Sequence, residues 1–293
     1  EKQPMYNFVI LTDNTVDMPV EWLNEHEVGY ECLPCSMNGV VYDKKNPIDT
    51  KLFYRQMREG AMPTTSQMNP AMAEAMFETY LQEGKDILYL AFSSGLSGTC
   101  NSARIAAEEL KEKYPERQIK IMDSLAASMG EGLLLYYAVK LRDKGKNLDE
   151  ICDWLLENRL HLCHVFTVDD LNHLHRGGRV SKATAVLGTL ANIKPMLHVD
   201  NEGKLISIGK VRGRKKSLAT LVSMMEERIG KYCDKNEAVF ISHGDCEADA
   251  EYVAGLVKEK FGIENIMIHP ISATIGAHSG PGTVALFFLG EYR

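Results

Sequence analysis

The chain has 293 residues, more than one typical hydrophobic core accommodates, and this length suits two domains. With 45% hydrophobic and 25% charged residues it has the composition of an ordinary globular protein, and no apolar run approaches the ~18 residues that a membrane-spanning helix needs. The net charge of −7 argues against a nucleic-acid-binding protein, and no secretory leader is visible, so we expect a cytoplasmic protein.

The first half of the chain alternates between apolar runs and helical patterns. Strands are predicted at Tyr6–Leu11, Asp86–Phe92 and Gln118–Met122. This alternation predicts a parallel sheet with helices on both faces, and ligands of such sheets bind beyond the carboxyl ends of the strands. Asp13, Ser94 and Asp123 all fall at that edge. A ligand site is therefore expected there.

The pattern changes near Asn158, where further extended segments begin. Two of them, Ile193–Val199 and Lys204–Lys210, are joined by the turn Asp200–Gly203, which predicts a hairpin. We therefore predict an α/β protein of two domains. Residues 1–158 form an N-terminal Rossmann-like domain with a parallel sheet, and residues 159–293 form a C-terminal α/β domain with a mixed or antiparallel sheet.

The seven cysteines are odd in number and scattered, which favours reduced thiols over a disulfide framework. Cys32 and Cys35 form a C-x-x-C, but they lie inside Val28–Val41, which is predicted to be extended. A redox motif of this kind normally opens a helix, and a zinc site would need a second pair at suitable spacing. We predict structural cysteines and no metal site.

Three clusters rich in hydroxyl groups and glycine stand far apart in the chain, at Pro63–Gln67, Ser93–Thr99 and Gly276–Gly282. Each is predicted to be a loop at the end of a regular element. Hydroxyls and free backbone N–H groups in such loops suit a small anion. Because none of the clusters contains Arg or Lys, a single carboxylate is the expected ligand, and not a polyphosphate.

Other interpretations of these clusters remain open. Ser93–Thr99 lacks the lysine of a phosphate-binding loop, and Ser66 is predicted to cap the following helix, Pro70–Glu83. His278 with Ser94 and Asp123 could form a hydrolytic triad, although the sequence around Ser94 departs from G-x-S-x-G. His278 could also be a structural histidine, or could support a bound carboxylate.

The charge is distributed unevenly. Between Arg176 and Lys216 there are ten Lys and Arg but only two Asp and Glu, a balance of +8, whereas the rest of the chain balances at −15. This segment, called the basic segment below, suggests a docking face for an acidic partner or for an anionic membrane surface; a solvated surface is the alternative. It contains no Phe, Tyr or Trp to stack on bases, so nucleic acid is not an expected partner.

Seven segments together, in this order and spacing over some 270 residues, resemble the DegV family: Thr12–Asp17, Pro63–Gln67, Ser94–Thr99, Asp123–Ser124, Arg176–Arg179, Asn192–Pro195 and His278–Gly282. The first is usually D-S-x-x-D, and Asn14 stands here where serine is usual. The resemblance implies a two-domain protein that buries one long-chain fatty acid. It implies a carrier without its own catalysis or cofactor, which presents the carboxylate to a separate ATP-binding fatty acid kinase subunit.

The product implied by the resemblance is an acyl phosphate for phospholipid synthesis in bacteria. By motif, the residues expected at the ligand are Thr64, Thr65, Ser94, Gly95, His278 and Ser279, and those expected on the docking surface are Arg176, Arg179 and Arg212. Apolar segments such as Leu133–Val139, Ile151–Leu156 and Leu286–Leu289 could line the lipid tunnel or form ordinary core. The alternative function is a small-molecule kinase or hydrolase that uses the same Ser, Thr and His loops.

Overall fold

Thirteen strands form three sheets in the computed structural model, which describes residues 7–187 and 192–293. The strands are β1 Phe8–Asp13, β2 Val28–Glu31, β3 Cys35–Met37, β4 Val40–Tyr42, β5 Thr64–Thr65, β6 Asp86–Ala91, β7 Ile119–Asp123, β8 Leu162–Thr167, β9 Ile193–Val199, β10 Leu205–Arg212, β11 Val239–His243, β12 Ile266–Pro270 and β13 Val284–Leu289. The helices are α1 Val20–Glu25, α2 Thr50–Arg58, α3 Pro70–Gln82, α4 Thr99–Lys113, α5 Ser128–Asp143, α6 Leu148–Asn158, α7 Asn172–Arg176, α8 Lys182–Leu187, α9 Arg214–Ile229, α10 Glu247–Phe261 and α11 Ala273–Ser279.

The first sheet has the order β2-β1-β6-β7, and all of its pairs are parallel. This confirms the predicted parallel sheet. Helices α3 and α4 cover one face and α5 covers the other, so the strands are apolar on both sides. Asp13 and Asp123 end β1 and β7, and Ser94 follows β6, so the three residues lie at the same edge as predicted.

The second sheet has the order β10-β9-β8-β13-β11-β12 and confirms the predicted mixed sheet. All of its pairs are antiparallel except β11 with β12. The predicted hairpin joins β9 to β10 through Asp200–Gly203. Helices α9 and α10 cover one face of the sheet. The other face packs against α5, which touches strands of both larger sheets.

A small third sheet, β4-β3-β5, was not predicted. The segment Val28–Val41, expected to be one extended stretch, is divided into three strands. Its first part joins the parallel sheet, whereas β3 and β4 form an antiparallel hairpin that turns at Asn38 and Gly39, both with positive φ. Pro63–Gln67 is likewise not all loop, because Thr64 and Thr65 pair with β3. This pairing fixes the position of Thr65.

Two predicted details of the helices were wrong. Asn69, not Ser66, caps α3: its side chain accepts a hydrogen bond from the Met72 N–H at 2.8 Å. The cluster Gly276–Gly282, predicted to be a loop, begins inside α11, which ends before Gly280 at a φ of +83°. The helix therefore carries His278, one of the predicted ligand residues.

The predicted boundary at residue 158 coincides with the end of α6 and stays a prediction. One hydrophobic cluster contains residues from both sides of it, among them Leu133 of α5 and Phe287 of β13. Across residues 7–187 and 192–293, no helix combines the length and the apolar character needed to cross a membrane.

Candidate functional site in a cavity between the two larger sheets

A cavity of about 360 Å³ lies where the carboxyl edge of the parallel sheet meets the inner face of the mixed sheet. This volume is within the range of roughly 300–1,000 Å³ that small-molecule sites occupy. Half of its lining residues are apolar: Leu33, Phe92, Leu96, Ala127, Phe166, Leu174, Val199, Leu205, Ile271, Ile275, Ala285 and Phe287. The others include the polar residues Thr65, Ser66, Gln67, Ser97, Ser128, His164, Arg179, Thr274, His278, Ser279 and Thr283.

Thr65 and His278 are two polar lining residues that contact each other. Strand β5 brings Thr65 and helix α11 brings His278, and the Thr65 Oγ1 lies 2.6 Å from the His278 Nε2. Burial, together with the nearby charges of Arg179 and Arg176, lowers the pKa of His278 to about 4. The imidazole is therefore neutral at pH 7, and one of its nitrogens can donate while the other accepts.

Gly177 makes the position of His278 possible. A Cβ atom at residue 177 would lie 2.2 Å from the His278 Nδ1, so any side chain there would displace the ring. The glycine belongs to the Arg176–Arg179 motif, which the sequence analysis assigned to docking. The structure shows that this glycine of the motif leaves the space that the His278 ring occupies.

Arg179 lies in the cavity wall near His278. Its Nη2 donates to the carbonyl oxygen of Leu96 at 3.1 Å, and its Nη1 donates to that of Gly177. Burial lowers the pKa of Arg179, but a guanidinium remains charged at neutral pH. The three hydroxyl-rich clusters contain no cation, yet the fold brings one to them from a different loop.

Ser97 also lines the cavity, in the loop before α4. Its Oγ accepts a hydrogen bond from the Thr99 N–H at 3.2 Å and lies 2.9 Å from the Thr99 Oγ1, which itself accepts from the Met68 N–H. With the Thr99 hydroxyl as donor, the Ser97 hydroxyl proton stays available to a ligand. Ser97 lay within the Ser94–Thr99 motif but was not among the predicted ligand residues.

Ser94 and Gly95 are placed differently. Ser94 is exposed, and neither residue belongs to the described lining of the cavity. The Ser94 N–H donates to the Asp123 Oδ1 at 3.1 Å, and the Gly95 N–H donates to the Ser93 Oγ at 3.1 Å. Both backbone donors therefore already have partners within the protein.

The remaining predicted residues are divided between the cavity and the surface. Ser279 is buried in the cavity wall, and its hydroxyl donates to the Ile275 carbonyl at 3.3 Å. Thr64 is exposed, because neighbours in a strand face opposite sides and Thr65 takes the inner side. Arg176 and Arg212 are exposed.

A second polar group reaches the cavity at Ser128, the first residue of α5. Its hydroxyl donates to the Asp17 Oδ2 at 2.6 Å and lies 2.9 Å from the Ser242 Oγ. Burial raises the pKa of Asp17 to about 7. Nearby, the Nε2 of His164 accepts from the Ala127 N–H at 3.1 Å. Sequence reasoning missed these contributions because they come from elements distant in the chain.

The hydrolytic triad is not assembled in the structure. The Nε2 of His278 lies against Thr65, and the Asp123 Oδ1 accepts from the backbone N–H groups of Ser94 and Leu125. Of the apolar segments proposed for a tunnel, Phe287 is the residue found among the described lining of the cavity. Leu133–Val139 lies mainly in the core between the sheets.

The cysteines are free thiols throughout the described chain. Burial raises the pKa of Cys32 to about 12 and that of Cys35 to about 11. A reactive thiol needs the opposite shift, so this C-x-x-C lacks the electrostatics of a redox motif. Over the same residues, no group of His, Cys, Asp and Glu is arranged to hold a metal ion.

Comparison with known proteins gives a consistent result. The model of the DegV family matches residues 7–291. A DegV domain-containing protein of Clostridium perfringens is 46% identical over 291 residues, which cover 99% of each chain. A solved structure described as fatty acid binding of a DegV family protein from Thermus thermophilus superposes with a TM-score of 0.85 at 28% identity, covering 97% of this chain and 99% of the other. The structure of DegV from Bacillus subtilis, described as a fatty acid binding protein, has a TM-score of 0.83 at 27% identity, covering 98% and 100%.

Proposed function

Because the chain belongs to the DegV family, we propose that it binds one long-chain fatty acid in the cavity between its two larger sheets. The observation that carries the proposal is an apolar cavity that ends at a neutral Thr65–His278 pair beside the charged Arg179. Each buried methylene of the acyl chain contributes ~0.8 kcal/mol before ordering costs, so the alkyl chain supplies most of the affinity.

The carboxylate is proposed to lie against Thr65, Ser97 and His278. If the His278 Nε2–H donates to the Thr65 Oγ1, the Thr65 hydroxyl can donate to the carboxylate, as can that of Ser97. Ser279 lies in the same wall and can contribute. Arg179 adds a positive charge at this end, which favours an anion over a neutral ligand.

We further propose that the carboxylate is presented to a separate ATP-dependent kinase subunit, which forms an acyl phosphate. Two features support this finer proposal. Ser66 and Gln67, which follow Thr65 in the chain, line the cavity and are also exposed. A partner's nucleotide could therefore approach the carboxylate there. The chain also lacks the lysine-bearing phosphate loop that an autonomous kinase of that class would use.

The basic segment is proposed as the docking surface, with Arg176 and Arg212 as its exposed charges. Arg214 differs from them, since it forms ion pairs with Asp169 and Asp249. A docked kinase subunit, or transient contact with an anionic membrane surface, would be attracted by the unpaired part of this positive charge.

Organic extraction of the purified protein followed by gas chromatography tests the binding function, and about one fatty acid per chain is expected. Thr65→Ala should weaken palmitate binding by about 0.5–3 kcal/mol, because one hydrogen bond to a charged group is lost. Ser94→Ala is the matched variant, with a hydroxyl removed outside the described cavity wall, and should leave the affinity unchanged.

Two outcomes would contradict these assignments. Protein that carries no lipid and does not bind palmitate or oleate would refute fatty-acid binding. A larger loss in Ser94→Ala than in Thr65→Ala would place the carboxylate at the outer part of the loop.

A further inference from the structure

A second cavity, of about 710 Å³, lies beside the fatty-acid cavity and shares Leu96, Arg179 and Leu205 with it. Its other walls include Gly177–Gly178 and Lys204, the residue before β10. Gly178 and Lys204 are exposed, so this cavity opens to solvent. A ligand group near Thr65 and His278 in the first cavity could therefore extend into the second one past Arg179.

The second cavity has a positive wall. Arg179 uses two of its N–H groups on the carbonyl oxygens of Leu96 and Gly177, and among the described residues it has no Asp or Glu partner. The Lys204 Nζ lies 3.3 Å from the Glu202 Oε2, but both side chains are more than half exposed. Surface ion pairs of this kind contribute little to stability. Arg179 and Lys204 are therefore both available to interact with an anion in the second cavity.

The other walls leave room for such a group. Apart from Gly178 itself and its two chain neighbours, no residue has an atom within 4 Å of the position that a Cβ of Gly178 would occupy, so the space beside this loop is open. Hydroxyl groups of Ser181, Thr184 and Ser207 stand on the remaining sides. Hydroxyls, a guanidinium and an ammonium together are the donors that a phosphoryl group takes in proteins.

We propose that the second cavity binds the phosphoryl group of an acyl phosphate whose acyl chain occupies the first cavity. The proposal rests on the proposed function. In the reaction, a carboxylate oxygen attacks the terminal phosphorus of a nucleoside triphosphate held by the partner, an oxygen–phosphorus bond forms, and the bond to the nucleoside diphosphate breaks. No proton is consumed or released at the carboxylate.

The acyl phosphate product requires more positive charge and more hydrogen-bond donors than the fatty-acid carboxylate does. The carboxylate carries one negative charge, which Arg179 balances, whereas the acyl phosphate carries about two, with three more oxygen atoms. Lys204 is the cation in position to take the added charge. It contributes to the second cavity and not to the first, so it should distinguish product from substrate.

Calorimetric titration with palmitate and with hexadecyl phosphate, a single-chain phosphate monoester that resists hydrolysis, tests this assignment. Lys204→Gln should weaken hexadecyl phosphate binding about tenfold or more, because a charge-assisted contact is lost, and should change palmitate binding less than twofold. Lys210→Gln is the control: it removes the same charge from the same hairpin, outside the described walls of both cavities, and should change the binding of neither ligand.

Equal effects of Lys204→Gln on both ligands, or no effect on hexadecyl phosphate, would overturn the inference while leaving fatty-acid binding intact. Wild-type protein that binds neither ligand would instead refute the proposed function. Inorganic phosphate titrated into palmitate-loaded protein is the third arm. Binding that depends on Lys204 would assign the cavity to free phosphate and overturn the acyl phosphate.

Discussion

The buried residues Asp13, Thr15 and Glu131 near the end of β1 are hydrogen-bonded so that the protonation state of Glu131 can be inferred. Asp13 accepts hydrogen bonds from the Tyr89 hydroxyl, the Phe92 N–H, and the N–H and hydroxyl of Thr15. The Thr15 Oγ1 also lies 2.6 Å from the Glu131 Oε1. A hydroxyl has one proton to donate, so Glu131 itself must donate to Thr15 if Asp13 is ionised.

The environments of the two carboxyl groups agree with this assignment. Burial, and then the charge of Asp13, raises the pKa of Glu131 well above its usual range. Burial also raises the pKa of Asp13, but its four hydrogen-bond donors act in the opposite direction. We infer an ionised Asp13 and a protonated Glu131, a pair that holds the carboxyl end of β1 beside the cavity.

Substitution by the matching amide separates these two states. Glu131→Gln should change the free energy of unfolding by less than about 1 kcal/mol, because an amide can replace a protonated carboxyl as donor. Asp13→Asn should cost about 2–5 kcal/mol, because the amide nitrogen leaves two buried donors without an acceptor. Urea unfolding at pH 7 measures both values, and an equal loss in the two variants would contradict the assignment.

Among the elements, the loop before α4 and the β9–β10 hairpin hold each other in place. The Ser93 hydroxyl donates to the Gly203 carbonyl at 2.7 Å. A Cβ at Gly95 would lie 2.7 and 2.8 Å from the carbonyl oxygens of Glu202 and Gly203. Gly95 is therefore needed because two backbones meet there, in addition to any contact with the ligand.

Gly95→Ala should consequently destabilise the fold by about 1–3 kcal/mol through overpacking, and should weaken palmitate binding because the loop carries Leu96 and Ser97 into the cavity. Thermal unfolding and fatty-acid titration are the measurements. Gly255→Ala in α10 is the control, since that glycine is exposed with no atom near its Cβ position, and it should stabilise by about 0.5–1 kcal/mol. Unchanged stability and affinity in Gly95→Ala would refute the close contact.

For the whole molecule, the separation of charge predicts salt-sensitive docking. The basic segment carries +8 in a chain whose remainder carries −15. Attraction to an acidic partner or anionic lipid would act over about one Debye length, ~8 Å at physiological salt, and would change association rates more than final occupancy.

The double variant Arg176→Glu with Arg212→Glu should slow fatty-acid transfer to vesicles containing phosphatidylglycerol, and the difference from wild type should shrink at high salt. The fatty-acid content of the protein should not change, because both side chains are exposed. The double variant Lys51→Glu with Lys111→Glu is the control, because it reverses two exposed charges outside the basic segment and changes the net charge by the same amount. If that control slows transfer equally, net charge and not the segment is responsible.

The α/β class, the parallel and mixed sheets and the polar edge beyond β1, β6 and β7 could all be predicted from the residues of the chain alone. These features follow from local periodicity and from the rule that parallel strands end at one edge. The sequence also brought out the motifs that contain Thr65, Ser97, Arg179 and His278. The sequence shows the type of each of these residues, but it does not show which residues lie next to them in the folded protein.

The grouping of these residues depends on tertiary packing and could not be predicted from the sequence. Thr65 and His278 are 213 positions apart and meet because α11 packs beside the small sheet that carries β5. Arg179, which was predicted for a docking surface, lines both cavities, and Ser97 lines the first cavity whereas Ser94 lies outside its described lining. Contacts of this kind depend on how helices pack on sheets, and neither periodicity nor residue spacing carries that information.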